Sequence, residues 1–190
     1  MKVLGINGSA RLNGNTAIML NIAMEELKAE GIETELLQLG PKALQGCIAC
    51  YKCFEKKNRR CAVDDAMNRY IELMLEADGI MLGSPTYFAD VTTNMKSLMD
   101  RTGMVARAND DMFSRKVGAA VVTARRGGAI HTFDTLNHFL HISQMVLPGT
   151  SYWNMGYGRE PGQVHNDDEG VRTMRVLGRN MAWLLKKLAD

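Results

Sequence analysis

Short apolar runs alternate with longer amphipathic stretches along the whole chain, and this alternation restricts the possible folds more than any other feature. Helical spacing of apolar residues predicts helices at residues 16–30, 64–77, 92–106, 130–145 and 168–189. Strands are predicted at residues 3–6, 32–39, 80–82, 117–122 and 146–153, the last one broken around Pro148 and Gly149. Strands that are apolar throughout need cover on both faces, so the pattern predicts an α/β fold with a five-stranded parallel sheet.

The length and charge of the chain limit the number of domains and the kinds of partner that we expect. Its 190 residues fit one domain spanning 1–190, and the polar, glycine-rich residues 154–167 are expected to form a loop. The formal net charge of +2 does not favour nucleic acid or a membrane as partner. No apolar stretch approaches the roughly 18 residues of a membrane-spanning helix, and residues 1–6 are too short an apolar run for a signal peptide. The cytoplasm is therefore the expected location.

The loop after the first strand is suited to an anion. It reads Gly8-Ser9-Ala10-Arg11-Leu12-Asn13-Gly14-Asn15-Thr16 and leads into the first helix, whose unpaired backbone N–H groups attract negative charge. Ser9, Asn15 and Thr16 add short donors, and Arg11 adds a positive fork. The loop matches neither a Walker loop nor G-x-G-x-x-G. The alternative is an ordinary capped turn, which needs neither the arginine nor so many small polar residues.

Two further loops follow the third and fourth predicted strands. Gly83-Ser84-Pro85-Thr86-Tyr87-Phe88-Ala89-Asp90 offers aromatic rings to a planar ligand, and Thr123-Ala124-Arg125-Arg126-Gly127-Gly128 has glycines that let its backbone approach one. In a sheet of order 2-1-3-4-5 the strand order reverses between the first and third strands, and ligands bind in the crevice there. FMN is the common ligand at that crevice, so the first two loops predict an FMN site.

All four cysteines lie in one short segment, Cys47-x2-Cys50-x2-Cys53-x7-Cys61. Thiolates at two-residue spacing can each reach a different iron, and a fourth can close the cage, which favours a [4Fe–4S] cluster. Three alternatives stay open. A structural zinc site also uses four thiolates, usually as two separated C-x2-C pairs. Disulfides suit small secreted chains, and the loop can also carry thiols that bind nothing.

Taken together, these motifs resemble a known family. Gly8-Ser9-x-Arg11-x-x-Gly14-Asn15-Thr16 with Gly83-Ser84-Pro85-Thr86-Tyr87-Phe88 resembles the flavodoxin-like NAD(P)H-dependent FMN reductase family. The cysteine-rich insertion at about 46–62 resembles its iron–sulfur flavoprotein subgroup. The resemblance covers nearly the whole chain. It implies a flavodoxin-like three-layer sandwich of sheet order 2-1-3-4-5, with FMN and a [4Fe–4S] cluster as cofactors.

The resemblance also implies roles for individual residues. The FMN phosphate would be held by Ser9, Arg11, Asn15 and Thr16, with Gly14 allowing close approach. The flavin ring and ribityl chain would lie along Pro85, Thr86, Tyr87 and Phe88, and the other ring edge along Ala124, Arg125, Gly127 and Gly128. The cluster would be ligated by Cys47, Cys50, Cys53 and Cys61. Ala129-Ile130-His131 departs from the polar Gln or Glu that many relatives carry there, which affects the ring-edge contacts and not the phosphate site.

The predicted activity is that of an FMN-dependent oxidoreductase. Flavin exchanges two electrons or one, a cluster only one, so a protein with both can couple the two kinds of partner. NAD(P)H or ferredoxin is the expected donor, a small molecule or a protein the acceptor, and the resemblance implies a homodimer or homotetramer. One alternative is a cluster-free NAD(P)H-dependent FMN, quinone or azo reductase. Another is a flavodoxin-type carrier, which the charge of +2 disfavours because such carriers are usually strongly acidic.

The cysteine segment carries two further expectations. It leaves the second strand at the sheet edge where the FMN loops lie, which predicts short-range electron transfer. Its basic side chains are predicted to guide an acidic carrier such as ferredoxin, although a solvated basic loop is an equally simple interpretation; they are Lys56, Lys57, Arg59 and Arg60. The histidines at 131, 138, 141 and 165 have no metal-ligand spacing, and we expect them to lie at the surface or in helix packing.

Overall fold

The computed structural model describes residues 1–189 and contains a parallel sheet with helices over both faces. The strands are β1 Lys2–Asn7, β2 Glu33–Gln38, β3 Gly79–Pro85, β4 Val117–Ala124 and β5 Met155–Tyr157. The helices are α1 Asn15–Ala29, α2 Lys52–Lys56, α3 Ala66–Glu76, α4 Thr93–Ala108, α5 Ala129–Ile142 and α6 Asp168–Ala189, with a 3-10 helix at Gln163–Asn166. The sheet order is β2-β1-β3-β4-β5 and every pair is parallel, which confirms the predicted flavodoxin-like α/β fold.

Successive residues of the central strands face two separate hydrophobic layers. Val3 and Met81 belong to the layer formed with α1 and α6, whereas Leu4 and Leu82 belong to the layer formed with α3, α4 and α5. All four side chains are fully buried. Because neither face of these strands reaches water, their sequences are apolar throughout, which is why the strand prediction succeeded at the centre of the sheet.

The predicted position of the fifth strand is wrong. Residues 146–153 make only an isolated bridge, in which Val146 lies beside Val117, and the chain then leaves the sheet at Pro148 and Gly149. It returns at Asn154, whose side chain donates to the Ala120 carbonyl, and β5 follows directly. The expected loop at 154–167 therefore contains β5 and the 3-10 helix. A strand of three residues is too short to show a period-two pattern in the sequence.

The predicted helices are present with small shifts at their ends. Asp65 and Thr92 are the N-caps of α3 and α4, and their side chains accept from the backbone N–H groups of Met67 and Met95. The short helix α2, inside the cysteine segment, was not predicted. No helix within residues 1–189 has the length and apolar character needed to cross a membrane.

The crossing of α1 and α6 depends on a glycine. A Cβ atom at Gly178 would lie 2.7 Å from the Cβ of Glu26 and would also overlap the carbonyl oxygen of Ala23. Both obstacles belong to, or lie next to, the backbone of α1, so a side-chain rotation cannot relieve them. The two helices can approach this closely only because position 178 has no side chain.

Replacing Gly178 by alanine is expected to lower the free energy of unfolding by about 2 kcal/mol. Overpacking costs roughly 1–3 kcal/mol, and the helix propensity of alanine, which offsets up to about 1 kcal/mol, is too small to compensate for a backbone overlap. Urea denaturation measures the difference. The matched control is Gly149→Ala, because a Cβ there meets no atom within 4 Å. Equal stability of the two variants would contradict a close helix crossing.

Candidate functional site

The loops that follow β1, β3 and β4 meet in one pocket at the carboxyl edge of the sheet. Ten of the thirteen residues predicted to bind FMN line it: Ser9, Arg11, Gly14, Asn15, Thr16, Pro85, Thr86, Tyr87, Ala124 and Arg125. The pocket also includes three residues that sequence reasoning missed: Thr123, Gly158 and Arg159. Phe88, Gly127 and Gly128 lie outside this lining. The sheet order places the pocket at the switch point between β1 and β3.

The N-terminus of α1 is open to a ligand. Its N-cap is Gly14, which has no side chain to accept from the first-turn N–H groups, and no acidic residue lies in the first turn. The capped starts of α3 and α4 contrast with it. Ser9, at the end of the preceding turn, is buried and accepts from the backbone N–H of Arg11 at 3.1 Å. The free amides and the positive end of the helix therefore favour an anion here.

The side chain of Asn15 holds a neighbouring loop. Its Nδ2 donates to the carbonyl oxygens of Gly158 and Glu160, each at 3.0 Å, and its Oδ1 accepts from the N–H of Gly162 at 2.9 Å. Both amide hydrogens are thus used within the chain. What Asn15 can offer a phosphate is its backbone N–H, together with the position of the loop that it fixes.

Hydroxyl and guanidinium groups complete the phosphate side of the pocket. Thr16 Oγ1 and Thr123 Oγ1 share a buried hydrogen bond of 2.7 Å, which ties the start of α1 to the end of β4. Arg11 is exposed, and its Nη1 donates to the carbonyl oxygen of Arg159 at 3.4 Å. Because that contact is long and open to water, the guanidinium is free to turn towards an anion.

The loop after β3 forms a tight hairpin with an exposed tip. The N–H of Tyr87 donates to the Asp90 carbonyl at 2.8 Å and the N–H of Asp90 donates back at 3.0 Å. The two residues between them, Phe88 and Ala89, have φ angles of 49° and 63°. Non-glycine residues with such angles carry strain of about 1 kcal/mol or more each, which occurs most often at functional sites. The ring of Phe88 projects fully into solvent.

The start of α5 braces this hairpin. Gly128 has a φ of 88°, and a Cβ at this position would lie 3.1 Å from Ala89. His131 contacts the Ala89 carbonyl through its Nδ1 at 2.8 Å. His131 therefore holds the hairpin tip. Gly128 lies against the hairpin, and neither Gly127 nor Gly128 lines the pocket.

The cysteine segment lies along α4, attached by a stripe of polar side chains. Asn94, Ser97 and Arg101 follow one another at helical spacing. Asn94 donates to the carbonyls of Leu39 and Lys42, Ser97 to that of Leu44, and Arg101 to that of Gln45. Sequence reasoning did not assign this stripe. The available signal was three polar residues three and four positions apart on a helix face that otherwise faces the core.

The four cysteines line one small hollow between this segment and α4. Cys47 and Cys50 are exposed, Cys61 is half-buried, and Cys53 is buried with its Sγ 3.8 Å from the Met104 carbonyl. Burial raises the pKa of the Cys53 thiol. None of the thiols in the described part of the chain is in a disulfide, and no three metal-ligating side chains within residues 1–189 lie close enough to hold a single metal ion.

The backbone around the cysteines is strained in a repeated way. Ala49, Tyr51, Lys57 and Arg59 all have positive φ angles, between 45° and 59°. Left-handed residues that alternate with ordinary ones turn successive N–H groups towards a common centre, and such nests bind phosphates and iron–sulfur clusters. The donor set of this segment, four cysteines around one hollow, is the one that an iron–sulfur cluster requires.

The segment is closed on its other side by an ion pair between a buried guanidinium and a partly exposed carboxylate. Arg101 is 1% exposed, and its Nη1 and Nη2 donate to the two carboxylate oxygens of Asp65 at 2.7 and 2.8 Å. Nη2 also donates to the Sγ of Cys61 at 3.3 Å. Hydrogen bonding to Arg101 holds the pKa of the Asp65 carboxyl below its ordinary value. Burial alone would lower the pKa of Arg101, but its bonds to Asp65 and Cys61 raise it, so the guanidinium stays charged.

The pocket and the cysteines are separated along α4. Thr92, which caps the helix, donates from Oγ1 to the Gly8 carbonyl at the sheet edge. Arg101 and Met104, which contact the cysteines, lie nine and twelve residues further on. At 1.5 Å per residue these intervals are about 14 and 18 Å along the axis. The pocket and the hollow of the cysteines share no residue, and the short-range electron transfer expected from the sequence stays a prediction.

Comparison with known proteins agrees with this geometry. A model of the NADPH-dependent FMN reductase family matches residues 1–160. The chain belongs to the NADPH-dependent FMN reductase family. An iron-sulfur flavoprotein of Methanocaldococcus jannaschii is 38% identical over 192 residues, covering 98% of each chain, and this relative assigns the chain to the iron–sulfur flavoprotein subgroup. Membership makes the chain an oxidoreductase of a flavin-dependent family.

Solved structures share the fold. RosB, solved with the intermediate 8-demethyl-8-formylriboflavin-5'-phosphate, has a TM-score of 0.73 at 20% identity and matches all of this chain over 80% of its own. The WrbA-like flavodoxin of Agrobacterium tumefaciens has a TM-score of 0.67 at 14% identity, covering 98% of this chain and 97% of that one. At such identities the likeness establishes the architecture alone.

Replacing Asn15 by alanine is expected to release the loop at 158–162. Three hydrogen bonds are lost, and at about 1 kcal/mol each, partly replaced by water, the free energy of unfolding falls by about 2 kcal/mol. Hydrogen exchange at the Gly162 amide should rise at the same time. The control is Asn13→Ala, an exposed asparagine two residues away. If both variants protect the Gly162 amide equally, the loop does not depend on Asn15.

Proposed function

We propose that this chain is an FMN-dependent oxidoreductase that exchanges electrons between FMN and a [4Fe–4S] cluster held by Cys47, Cys50, Cys53 and Cys61. The observation that carries the proposal is the pocket at the β1–β3 switch point, where an uncapped helix start faces the loop after β3. NAD(P)H or ferredoxin is the donor, and a small molecule or a protein is the acceptor. FMN supplies both two-electron and one-electron chemistry when it is bound.

Different residues of the pocket would contact different parts of FMN. The first turn of α1 supplies backbone N–H groups and Arg11 a mobile positive charge, which together suit the phosphate. Thr86 and Tyr87, at the base of the strained hairpin, supply backbone and ring surface for the isoalloxazine, and the exposed Phe88 is close enough in sequence to cover it. Ala124 and Arg125 lie across the pocket, where the other edge of the ring is expected.

Replacing Arg11 by glutamine is expected to weaken FMN binding by the apoprotein about tenfold or more. A charge-assisted hydrogen bond contributes about 1.5–3 kcal/mol, and 1.4 kcal/mol is a factor of ten. Riboflavin, which lacks the phosphate, should bind the variant and the parent protein equally. Flavin fluorescence quenching measures both affinities.

The control for this comparison is Arg126→Gln, an exposed arginine of the third loop that does not line the pocket. Its FMN affinity should match that of the parent protein. Equal weakening of FMN and riboflavin by Arg11→Gln would place Arg11 away from the phosphate. Failure of the parent protein to bind FMN at all would overturn the proposed function.

The cluster is supported by three features of the cysteine segment. Its four cysteines line one hollow, its backbone has four left-handed residues, and a buried guanidinium donates to one of the sulfurs. A cluster with four thiolate ligands is an anion, and amide and guanidinium donors around the sulfurs favour it. The relative from Methanocaldococcus jannaschii is itself named an iron-sulfur flavoprotein.

Anaerobic reconstitution with iron and sulfide is expected to yield about four irons and four labile sulfides per chain, as the cubane formula requires. Replacing Cys50 by serine should reduce the iron content strongly and leave FMN binding unchanged, because Cys50 does not line the FMN pocket and the two hollows share no residue. Metal and sulfide analysis with flavin titration measures both. One zinc without sulfide would support the zinc alternative, and FMN without any metal would leave a cluster-free FMN reductase.

The basic side chains near the cysteines support a negatively charged electron carrier as donor. Arg60 is engaged with Glu72 at 2.7 Å, whereas Lys56, Lys57 and Arg59 are exposed. Arg59 lies on the left-handed backbone of the segment and its N–H is held by Asn109. Three charges at the rim of the cysteine segment would speed the approach of an acidic ferredoxin, since long-range attraction raises association rates.

Replacing Lys56, Lys57 and Arg59 together by glutamine is expected to slow reduction by ferredoxin about tenfold at low salt and to flatten its dependence on ionic strength. Stopped-flow measurements at several salt concentrations test this. The control replaces Lys28, Arg172 and Arg175, three basic residues of α1 and α6, by glutamine. If the control slows the reaction equally, the net charge of the protein and not this rim is responsible.

Assembly is the remaining part of the proposal, and we infer a homodimer or homotetramer. Leu147, Tyr152 and Trp153 are exposed around a hollow beside β4 at the edge of the sheet. Clustered exposed aromatic residues of this kind commonly mark interfaces. A neighbouring chain can also bring a flavin pocket nearer to the cysteines than the span along α4 permits within one chain. Light scattering of the purified protein measures the assembly, and a monomer at all concentrations would exclude it.

A further inference from the structure

Arg101 is the largest fully buried side chain in the described part of the molecule, and it faces the cysteines. Beyond its two bonds to Asp65 and one to the Cys61 sulfur, it donates to the carbonyls of Gln45 and Val63, each at 3.2 Å. It therefore holds both ends of the cysteine segment, residue 45 before the first cysteine and residues 61–65, which begin with the last cysteine. The four hydrogens of Nη1 and Nη2 serve these five acceptors, so one hydrogen of Nη2 is shared between two of them. No other side chain presents a planar fork of donors of this kind.

One donor of this guanidinium is left over. The Nε of Arg101 is buried and has no hydrogen-bond partner within residues 1–189. Leaving a buried charged donor unpaired costs about 1–3 kcal/mol or more, so such groups call for a specific explanation. The guanidinium borders the hollow that the four cysteines line, which provides one.

We propose that Arg101 is a positioning residue for the cluster, which fixes the Cys61 sulfur and raises the reduction potential of the cluster by its charge. The inference rests on the proposed function, since it requires a cluster at these cysteines. It adds a residue that is neither a ligand nor part of the flavin pocket.

The sign of the effect follows from the charge balance of one electron. Reduction adds a single negative charge to the cluster. A buried positive charge next to a ligand sulfur stabilises the reduced form more than the oxidised form, so it raises the potential. Asp65 lies against the same guanidinium and has the opposite effect. Removing the charge of Arg101 and removing that of Asp65 must therefore shift the potential in opposite directions.

The experiment compares Arg101→Gln, Asp65→Asn and the parent protein after anaerobic reconstitution with iron and sulfide. Dithionite supplies the electrons in a redox titration followed by absorption and electron paramagnetic resonance. Arg101→Gln should lower the one-electron reduction constant at least tenfold, equivalent to about 59 mV. Asp65→Asn should raise it, and asparagine keeps the N-cap of α3 because it caps helices as well as aspartate does. The control Arg107→Gln, an exposed arginine on the same helix, should leave it unchanged.

Arg101→Lys separates the two parts of the role. Lysine keeps the charge but loses the planar fork, so the potential should return towards that of the parent protein while iron is lost faster to a chelator. A residue that only supported the fold would lower stability in all these variants without opposite shifts in potential. Equal potentials in Arg101→Gln and Asp65→Asn, or shifts of the same sign, would overturn the proposal.

Two further outcomes of this experiment also bear on the proposal. If Arg101→Gln does not fold, Asp65→Asn decides alone, and an unchanged or lowered potential in that variant overturns the proposal. If the parent protein binds no iron and sulfide under reconstitution, the proposed function fails, and the role of Arg101 fails with it. If the parent protein binds the cluster but the variants keep its reduction potential, only the role of Arg101 is refuted.

Discussion

Burial of both faces of the parallel sheet is the constraint on which the other features depend. Parallel strands must be joined by crossovers, so every strand ends at the same edge, and helices fill both faces. The reversal between β1 and β3 then separates two crossovers and leaves a crevice at that edge. Because α1 begins there at Gly14 without a cap, the crevice has free N–H groups before any side chain is considered.

This constraint explains how far the fold could be predicted. The central strands are apolar throughout because both faces are covered, and a run such as Val117–Val122 is visible in the sequence for that reason. At the edge of the sheet a strand need not be apolar throughout, so the sequence pattern does not reveal it. β5 has three residues held by Asn154 and by pairing with β4, a tertiary arrangement without a local signature. The sequence pattern therefore predicts a strand at the more hydrophobic residues 146–153 instead of at β5.

The residues of the site also include some that could be predicted from the sequence and some that could not. Residues that directly follow a buried strand, such as Ser9 and Thr86, could be placed at the carboxyl edge of the sheet from the sequence. Residues whose partners are distant could not: Asn15 bonds a loop almost 150 positions away, and Arg101 joins segments that only the packing of α4 brings together. In both cases the residue type suggested a polar role, but only the structure supplied the partner.

The cost of burying Arg101 argues that its role is chemical. Removing a guanidinium from water costs several kcal/mol, and its partner Asp65 is itself only partly buried, with 31% of its side chain exposed. One donor of this buried guanidinium also stays unpaired. Stability alone thus gives little reason for a charge at this position. A nearby group whose own charge changes, such as the proposed cluster, gives a direct reason for the charge. The field of the guanidinium then alters an equilibrium that the protein uses.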